Sequence, residues 1–461
     1  MFFAQYYLDC LSQASYLIAD EHTGRAVVVD PRRDVSEYLA DAQAHGFTIE
    51  GVINTHFHAD FLAGHLELAE RTGAWIGYGR RAGETEYPIR RLANGERISL
   101  GEVVLEVAET PGHTPESVSI LVYEHADDPV AYGVLTGDAL FIGDVGRPDL
   151  LSSLGVTAEE LGRMLYDSVQ HRLMALPDEV RVFPAHGAGS ACGKNLSTER
   201  QSTIGMQRLT NYACTPMPEE EFVAIVTDGQ PSAPGYFVFD AILNRRQHEI
   251  LNIGAHLKPL TIVELLEHRL AGAVIVDARD PQEFAAGHLR GSLSVPADGR
   301  FAERAGTVVE PGTEILVVAP QDREEEIVTR LARIGFDTVA GYLREPEAAF
   351  LTVPGEIDRA SRLTVTELRE AMRAEQPVVL DVRNTGERAA GAIEPSLHIP
   401  LAELPRRLDE VPRDRAVVVY CAHGARSSIA ASLLRRAGFA DVSDLIGGAE
   451  AWQLALTPAG R

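Results

Sequence analysis

The sequence predicts an α/β protein of several domains, and three observations lead to that prediction. Its 461 residues exceed the usual length of a single domain. Short apolar runs typical of buried strands alternate with stretches of helical periodicity along the chain. The second half also repeats itself, because nine of the twenty residues in segment 277–296 recur at an offset of 104 in segment 381–400.

Each copy of the repeat begins with a strand-like run, VIVD or VVLD, and later contains a second run, ILVVA or VVVYC. Strands that alternate with helices in this way predict a parallel sheet covered by helices on both faces. We therefore predict a first domain at residues 1–245, a linker at residues 246–260, and two repeated domains at residues 261–354 and 361–461.

The charge of the chain is strongly acidic and unevenly distributed. The net charge is −25, from 42 basic and 67 acidic residues, which disfavours binding to nucleic acid or to anionic membranes. Residues 361–461 contain 13 acidic and 13 basic residues, so the whole excess lies upstream of them. The last domain is therefore the part best suited to a small anionic ligand.

Composition also indicates where the protein resides. No apolar run approaches the length of a membrane span, and the first residues lack the basic and apolar segments of a secretory signal. The four cysteines show no paired spacing, which argues against a disulfide scaffold. We expect a cytoplasmic protein, without nucleic-acid or membrane partners, that forms a homo-oligomer.

In the first domain, histidines and an aspartate follow several predicted strands. The motifs are GVINTH, THFHAD, PGHTPES, LTGD and FPAHGAG. Loops beyond the carboxyl ends of strands are where open α/β sheets bind ligands, so this set predicts a metal site. The candidate residues are His56, His58, Asp60, His113, Asp138 and His186.

This pattern resembles the metallo-β-lactamase superfamily, through segment 55–60, Gly112–His113, Gly137–Asp138 and His186. The resemblance implies an αββα sandwich for the first domain, followed by two parallel α/β domains. The first motif of the superfamily is usually HxHxDH, but Phe61 stands at its last position here. A phenyl ring cannot bind metal, which argues against a dinuclear zinc hydrolase of the glyoxalase-II type.

The closer resemblance is to the persulfide dioxygenases. It implies one Fe(II) per chain, with zinc as the alternative metal, held by His56, His113 and Asp138. Two imidazoles and one carboxylate on one face of Fe(II) leave positions open for O2 and a persulfide sulfur. The implied substrates are O2 and a small thiol persulfide, either glutathione persulfide or that of another low-molecular-weight thiol, and the implied product is sulfite.

Five further residues have two open interpretations each. His58, Asp60 and His186 orient the metal ligands or a bound water, or they are buried polar groups retained around the site. Arg147, in GDVGRPDL, pairs with a substrate anion or, as we favour, locks its loop by a salt bridge. Cys192 is a small buried side chain or, as the less favoured interpretation, holds a sulfur.

In the second repeat, the strand VVVY leads into the loop CAHGARSS and a helical run. The N–H groups of such a loop and helix point at Cys421 and stabilise its thiolate, and Arg426 adds positive charge. These residues, with DVR and LIGGAEAW, resemble the rhodanese family. The resemblance implies that Cys421 and Arg426 are catalytic in sulfur transfer. Four residues separate Cys421 from Arg426. A loop of this length suits sulfur rather than phosphate.

The first repeat has no such nucleophile. Ala319 stands where Cys421 stands, and three glutamates follow. The pair Gly287–His288, typical of the family, is retained. We therefore predict an inactive rhodanese-like domain with an intact fold.

Together the resemblances imply a persulfide dioxygenase fused to a sulfurtransferase, which would serve sulfide detoxification. Cys421 either delivers sulfur to the iron site or passes it to sulfite, giving thiosulfate. One alternative is a zinc hydrolase that attacks a thioester, which Phe61 disfavours. Another is a sulfur carrier without metal chemistry, which the metal motif disfavours.

Overall fold

The computed structural model describes residues 1–150 and 155–456, which form two compact units. The first unit comprises Met1–Gln230 and Phe237–Leu251. The second comprises Pro231–Tyr236 and the chain from Asn252 onward. The domain limits at residues 245, 260, 354 and 361 stay predictions.

The first unit contains two six-stranded sheets, each with its strands in sequence order. In the first sheet the first three strands are antiparallel and the others parallel. Its strands are β1 (Phe2–Leu8), β2 (Gln13–Ala19), β3 (Arg25–Val29), β4 (Thr48–Ile53), β5 (Trp75–Gly79) and β6 (Arg90–Leu92). Those of the second sheet are β7 (Arg97–Ser99), β8 (Val104–Glu109), β9 (Val118–Tyr123), β10 (Gly133–Gly137), β11 (Arg181–Pro184) and β12 (Ser202–Thr203).

The core of the first unit lies between these sheets, because successive side chains of a strand point to opposite faces. Tyr16 and Ile18 of β2 pack with Leu105 and Val107 of β8 in one apolar cluster. The other face of β2 packs in a second cluster with helical residues. Burial on both faces explains why β3 contains the continuous apolar run AVVV and why β2 contains the run YLIA.

Helices cover the two outer faces of this sandwich. Leu165 of α3 and Phe222 of α5 belong to a cluster on the second sheet, and Tyr38 of α1 belongs to one on the first. The helices are α1 (Ser36–His45), α2 (His65–Thr72), α3 (Ala158–Tyr166), α4 (Ile204–Thr210), α5 (Glu219–Thr227) and α6 (Phe237–Leu243). The arrangement is the predicted αββα sandwich.

The second unit contains two five-stranded parallel sheets, one for each repeat, and a short two-stranded sheet. The first repeat follows α7 (Ile253–His256). Its elements are β13 (Pro259–Leu260), α8 (Ile262–Leu270), β14 (Val274–Asp277), α9 (Pro281–Ala286), β15 (His288–Leu289), β16 (Leu293–Ser294), α10 (Phe301–Val308), β17 (Ile315–Val318), α11 (Glu324–Ala332), β18 (Val339–Leu343) and α12 (Pro346–Thr352).

The second repeat follows the same plan. Its elements, after β19 (Ile357–Asp358), are β20 (Ser361–Leu363), α13 (Val365–Ala374), β21 (Val378–Asp381), α14 (Thr385–Ala389), β22 (Leu397–His398), β23 (Val417–Tyr420), α15 (Ala425–Arg436), β24 (Val442–Leu445) and α16 (Gly448–Leu456). The two sheets have equivalent strand orders, β13-β18-β17-β14-β16 and β20-β24-β23-β21-β22. The predicted pair of parallel α/β domains is therefore confirmed.

Local sequence explains where the repeated helices begin. Thr261 precedes α8 and Thr364 precedes α13, and each hydroxyl accepts a hydrogen bond from the backbone N–H of a glutamate three residues later. The glutamate side chain in turn accepts from the threonine N–H, which satisfies two backbone donors at each helix start. Within residues 1–150 and 155–456, no helix has the length and apolar composition needed to span a membrane.

Candidate functional site

The predicted metal ligands come from three strand ends of the sandwich. His56 lies three residues beyond β4, in the first sheet, and Asp138 directly follows β10 in the second. His113 lies in the loop between β8 and β9. The two sheets therefore contribute ligands to one place at their edge.

His56, His113 and Asp138 converge on this place. All three are buried, and one potential ligand atom from each lies within 4.8 Å of the others. Oδ2 of Asp138 lies 3.4 Å from Nε2 of His113 and 3.9 Å from Nε2 of His56. These atoms are arranged so that one ion can contact all three.

The electrostatics of the cluster suit a cation. Nε2 of His56 and Oδ2 of Asp138 are buried without a hydrogen-bond partner. Burial lowers the pKa of His56 well below its ordinary value, which keeps the imidazole neutral and able to bind metal. Burial by itself raises the pKa of Asp138, but the neighbouring imidazoles outweigh burial and keep the carboxylate ionised.

Two glycines allow the loops to approach this closely. Gly137 has a φ of 53°, and a Cβ there would lie 2.7 Å from Oγ1 of Thr55. A Cβ at Gly146 would lie 1.9 Å from the carbonyl oxygen of Asp138. A larger residue at either position would separate the loops that carry the ligands.

Hydrogen bonds orient two of the ligand rings. Nδ1 of His113 lies 2.9 Å from the carbonyl oxygen of Arg147, so it donates there and leaves Nε2 to the centre. Nδ1 of His56 lies 3.0 Å from Oγ1 of Thr55. The Arg147 side chain forms a bidentate salt bridge with Asp149, at 2.6 Å for each contact. This geometry is that of the loop-locking interpretation of Arg147.

His186 lies between two carboxylates. Its Nδ1 is 2.8 Å from Oδ1 of Asp138, and its Nε2 is 2.8 Å from Oδ2 of Asp60. Burial alone would lower the pKa of His186, but the two carboxylates together raise it well above its ordinary value. His186 therefore links Asp60 to the candidate ligand Asp138 through its two ring nitrogens.

Asp30 is a buried carboxylate at the end of β3 that was not among the predicted site residues. It accepts hydrogen bonds from the backbone N–H and the hydroxyl of Thr55, at 2.7 and 2.8 Å, and lies 2.9 Å from Nε2 of His58. Asp30 thus holds the residues on both sides of His56. Its signal was available, because AVVVD ends in an aspartate just as LTGD does.

Phe61 and Cys192 each lie close to other residues of the predicted site. The Phe61 ring is buried, with its centroid 4.3 Å from that of His58. Cys192 forms a second group with Asp60 and His186 in which the potential ligand atoms lie within 4.8 Å of one another. Burial raises the pKa of the Cys192 thiol well above its ordinary value, so this sulfur is protonated. The sequence analysis did not foresee this group.

In the second unit, Cys421 lies directly after β23, and α15 begins four residues later. The backbone N–H of Gly424 donates to its sulfur at 3.1 Å, and the sulfur lies 3.6 Å from the hydroxyl of Ser427. Gly424 has a φ of 109°, which turns the loop back over the sulfur. The predicted strand, loop and helix therefore hold Cys421 as a cradled sulfur.

The segment LIGGAEAW packs against the backbone of this loop. The N–H of Ala449 donates to the carbonyl oxygen of Cys421 at 2.8 Å. Gly448 has a φ of 58°, and a Cβ there would lie 2.3 Å from the same oxygen. A glycine is needed at this position because the backbone of the cysteine loop packs directly on it.

Arg426 forms a bidentate ion pair with Glu387, at 2.7 and 2.6 Å. The glutamate was not among the predicted site residues. Burial lowers the pKa of Arg426, but the hydrogen bonds and charge of Glu387 outweigh burial and raise it. The positive charge of the cysteine loop is therefore largely balanced within the second repeat.

Comparison with known proteins shows the families to which the two units are similar. Residues 8–186 match the metallo-beta-lactamase superfamily, and residues 261–344 and 364–455 match the rhodanese-like domain. The crystal structure of a metallo-beta-lactamase from Staphylococcus aureus subsp. aureus COL has a TM-score of 0.67 and 32% identity. The match covers 75% of this chain and 99% of that one.

Two curated relatives represent different activities. Persulfide dioxygenase ETHE1 of Bos taurus is 30% identical over 215 residues, which are 46% of this chain and 75% of the relative. A hydroxyacylglutathione hydrolase of Polaromonas sp. is 33% identical over 174 residues, 37% of this chain and 61% of the relative. The chain spans only 52% to 61% of the lengths of the first hydrolase-type relatives. In this chain a metallo-beta-lactamase domain is followed by two rhodanese-like domains. The chain belongs to the metallo-beta-lactamase superfamily and is a relative of the persulfide dioxygenases.

Proposed function

We propose that the first unit is a persulfide dioxygenase that uses one Fe(II) held by His56, His113 and Asp138. The observation that carries this proposal is the convergence of two imidazoles and one carboxylate, including buried atoms without a hydrogen-bond partner. This donor set fits Fe(II) and leaves positions open on one face. Phe61, which cannot bind a metal, supports a single ion.

Bound there, Fe(II) would supply the activation of O2 for oxidation of a persulfide sulfur. In the overall reaction a thiol persulfide, O2 and water give the thiol and sulfite. The protein orients the centre: Thr55 and the Arg147 carbonyl fix the two imidazole rings, and His186 holds the carboxylate of Asp138.

We further propose that Cys421 transfers sulfane sulfur. The cradle of backbone N–H groups and the N-terminus of α15 stabilise negative charge on the cysteine sulfur. A thiolate held in this way attacks the outer sulfur of a donor and becomes a persulfide. The partners are then a small thiol persulfide such as glutathione persulfide, and sulfite, which accepts the sulfur to form thiosulfate.

A zinc thioester hydrolase is the second candidate. The hydroxyacylglutathione hydrolase relatives favour it, and so does the second group of Asp60, His186 and Cys192. Against it, Phe61 stands where the HxHxDH motif has its last histidine, so a second zinc ion would lack that ligand.

Metal analysis and O2 uptake test the proposal. Anaerobically purified protein should contain one iron per chain and should consume O2 when glutathione persulfide is added. His56→Ala should abolish O2 uptake and retain sulfur transfer from thiosulfate to cyanide. Cys421→Ser is the reciprocal control, with O2 uptake retained. Two metal ions per chain, together with zinc-dependent hydrolysis of S-lactoylglutathione and no O2 uptake, would establish the hydrolase instead.

A further inference from the structure

The inactive repeat packs against the helix that begins at the cysteine loop of the active repeat. The hydroxyl of Ser294, in β16, lies 2.8 Å from that of Ser428 in α15. The backbone N–H of Ser294 donates to the hydroxyl of Ser432 at 3.0 Å. Helix α10 of the first repeat also contacts α15. One face of α15 is therefore buried by the first repeat, beginning two residues after Arg426.

Arg304, in α10, is a partly buried cation at this contact. Its side chain is close enough to Cys421 and Arg426 of the second repeat to interact with them electrostatically. Its guanidinium donates to the carbonyl oxygen of Asp298 at 3.3 Å. Among residues 1–150 and 155–456, no carboxylate lies within ion-pair distance of Arg304.

The acidic side chains nearest to Arg304 in sequence are engaged elsewhere. Asp298 pairs with Arg323 at 2.9 Å, and Glu303 pairs with Arg300. By contrast, Glu387 balances Arg426 in a bidentate pair. The cation available to an incoming anion at Cys421 is thus Arg304 rather than Arg426.

We propose that Arg304, carried by the inactive repeat, completes an anion-binding site beside Cys421 and binds the SO3 group of sulfite or thiosulfate. This inference rests on the proposed sulfur transfer. Sulfite attacks the outer sulfur of the Cys421 persulfide, the bond between the two sulfurs of that persulfide breaks, and its electron pair returns to the cysteine thiolate. Thiosulfate leaves with the new sulfur–sulfur bond, and no oxidant or reductant is needed. Arg304 binds the oxygens of the attacking group, and its guanidinium fork suits such an oxyanion.

The test compares sulfite with cyanide, a small acceptor that lacks an SO3 group. The full chain is loaded with sulfur from inorganic polysulfide and desalted, and the persulfide on the Cys421 peptide is quantified by mass spectrometry. Discharge by sulfite and by cyanide is then followed in single turnovers. Arg304→Met should slow discharge by sulfite about ten- to a hundredfold, the loss expected for a hydrogen bond to a charged group. Discharge by cyanide should change by less than about threefold, because cyanide offers no oxygens to the guanidinium.

Arg269→Met is the matched control, since Arg269 lies in the same repeat and pairs with Glu356 at 2.6 Å. It should leave both discharge rates unchanged. Arg304→Lys keeps the charge without the fork and should give an intermediate loss for sulfite; it also serves if the methionine variant does not fold. An equal loss with both acceptors, or an unchanged rate with sulfite, would overturn the inference. If unaltered protein takes up no sulfur on Cys421, the proposed sulfur transfer itself has failed.

Discussion

The two repeats of the second unit have the same plan and differ at the start of one helix. In the first repeat Ala319 follows β17, and α11 begins with Glu324, Glu325 and Glu326. In the second repeat Cys421 follows β23, and α15 has no acidic residue in its first turn. Acidic side chains stabilise a helix N-terminus by balancing its partial positive charge. In the first repeat, acidic side chains thus balance the partial positive charge of the helix N-terminus. In the second repeat, that charge remains available to an anion.

The loops differ in backbone as well. Asp322 and Gly424 occupy equivalent positions, and both have positive φ, at 63° and 109°. The turn is therefore retained without the cysteine, although aspartate tolerates only the smaller value. The first repeat therefore keeps the fold and the turn without a cysteine at this position.

The largest expected effect concerns the nucleophile. Cys421→Ser should lower sulfur transfer from thiosulfate to cyanide by at least about a thousandfold, because the sulfur that carries the transferred atom is gone. Ala319→Ser, the matched change in the other repeat, should leave the rate unchanged. A steady-state assay of both variants decides the matter. Substantial turnover in Cys421→Ser would place the nucleophile elsewhere and end the distinction between the repeats.

The rates at which the cysteines are alkylated should show the same difference between Cys421 and the rest of the chain. Iodoacetamide at pH 7 should label Cys421 about tenfold faster than the other cysteines, because the loop and helix stabilise its thiolate. Burial raises the pKa of the Cys214 thiol to about 12, so that sulfur should stay unreactive up to pH 9. Peptide mass spectrometry at timed intervals measures each rate. Faster labelling of Cys10 or Cys214 would show that the cradle does not activate Cys421.

The same experiment can be carried into the inactive repeat. The cysteine introduced by Ala319→Cys should react about as slowly as the buried cysteines, because the glutamates of α11 disfavour a thiolate at this helix end. Adding Glu324→Arg should raise its rate several-fold. If Glu324→Arg leaves the alkylation rate unchanged, the difference in reactivity between the two loops comes from backbone geometry rather than from the acidic first turn of α11.

Much of this fold was predictable because its central strands are buried on both faces. Runs such as AVVVD and VVLD become β3 and β21. Strand β1 was missed because it is a partly exposed edge strand without a continuous apolar pattern. Trp75–Gly79 was missed for a related reason, since two of its five residues are glycines.

The residues of the two candidate sites also differ in whether the sequence predicts them. Residues at strand ends, such as His56 and Cys421, were predictable because a motif carries them. Their partners were not, because contacts between distant segments leave no local pattern: Glu387 lies 39 residues from Arg426, and Arg304 lies in the other repeat. Asp30 is the exception, because it too ends a strand and the rule that selected Asp138 would have selected it.

A smaller effect is expected on the products of the whole chain. Supplied with glutathione persulfide and O2, the intact protein should release thiosulfate as well as sulfite if, as we propose, the second repeat accepts the sulfite that the first unit forms. Cys421→Ser should shift the ratio several-fold toward sulfite, and Ala319→Ser should not. The ratio is measured after subtraction of the non-enzymatic reaction of sulfite with persulfide. Equal ratios would indicate that Cys421 acts upstream and delivers persulfide to the metal centre.

The smallest effect concerns the ion pair that distinguishes two otherwise equivalent glutamates. Glu283 and Glu387 both cap the helix that follows the first long strand of their repeat. Among the residues that the structure describes, only Glu387 of these two also pairs with an arginine, Arg426. Glutamine can form the same cap. Glu387→Gln should therefore remove the ion pair alone, and Glu283→Gln serves as the matched control.

We expect Glu387→Gln to lower the free energy of unfolding at pH 7 by about 1 kcal/mol, since the pair is partly exposed to solvent. Burial by itself raises the pKa of Glu387, but Arg426 outweighs burial and lowers it. The stabilisation is therefore complete above the ordinary glutamate pKa of about 4.3 and is lost as the pH falls through the lower value in the folded protein. Urea unfolding across this range should show the two glutamine variants diverging at pH 7 and converging in acid. A difference that persists in acid would mean that Glu387 stabilises the repeat by packing rather than by its charge.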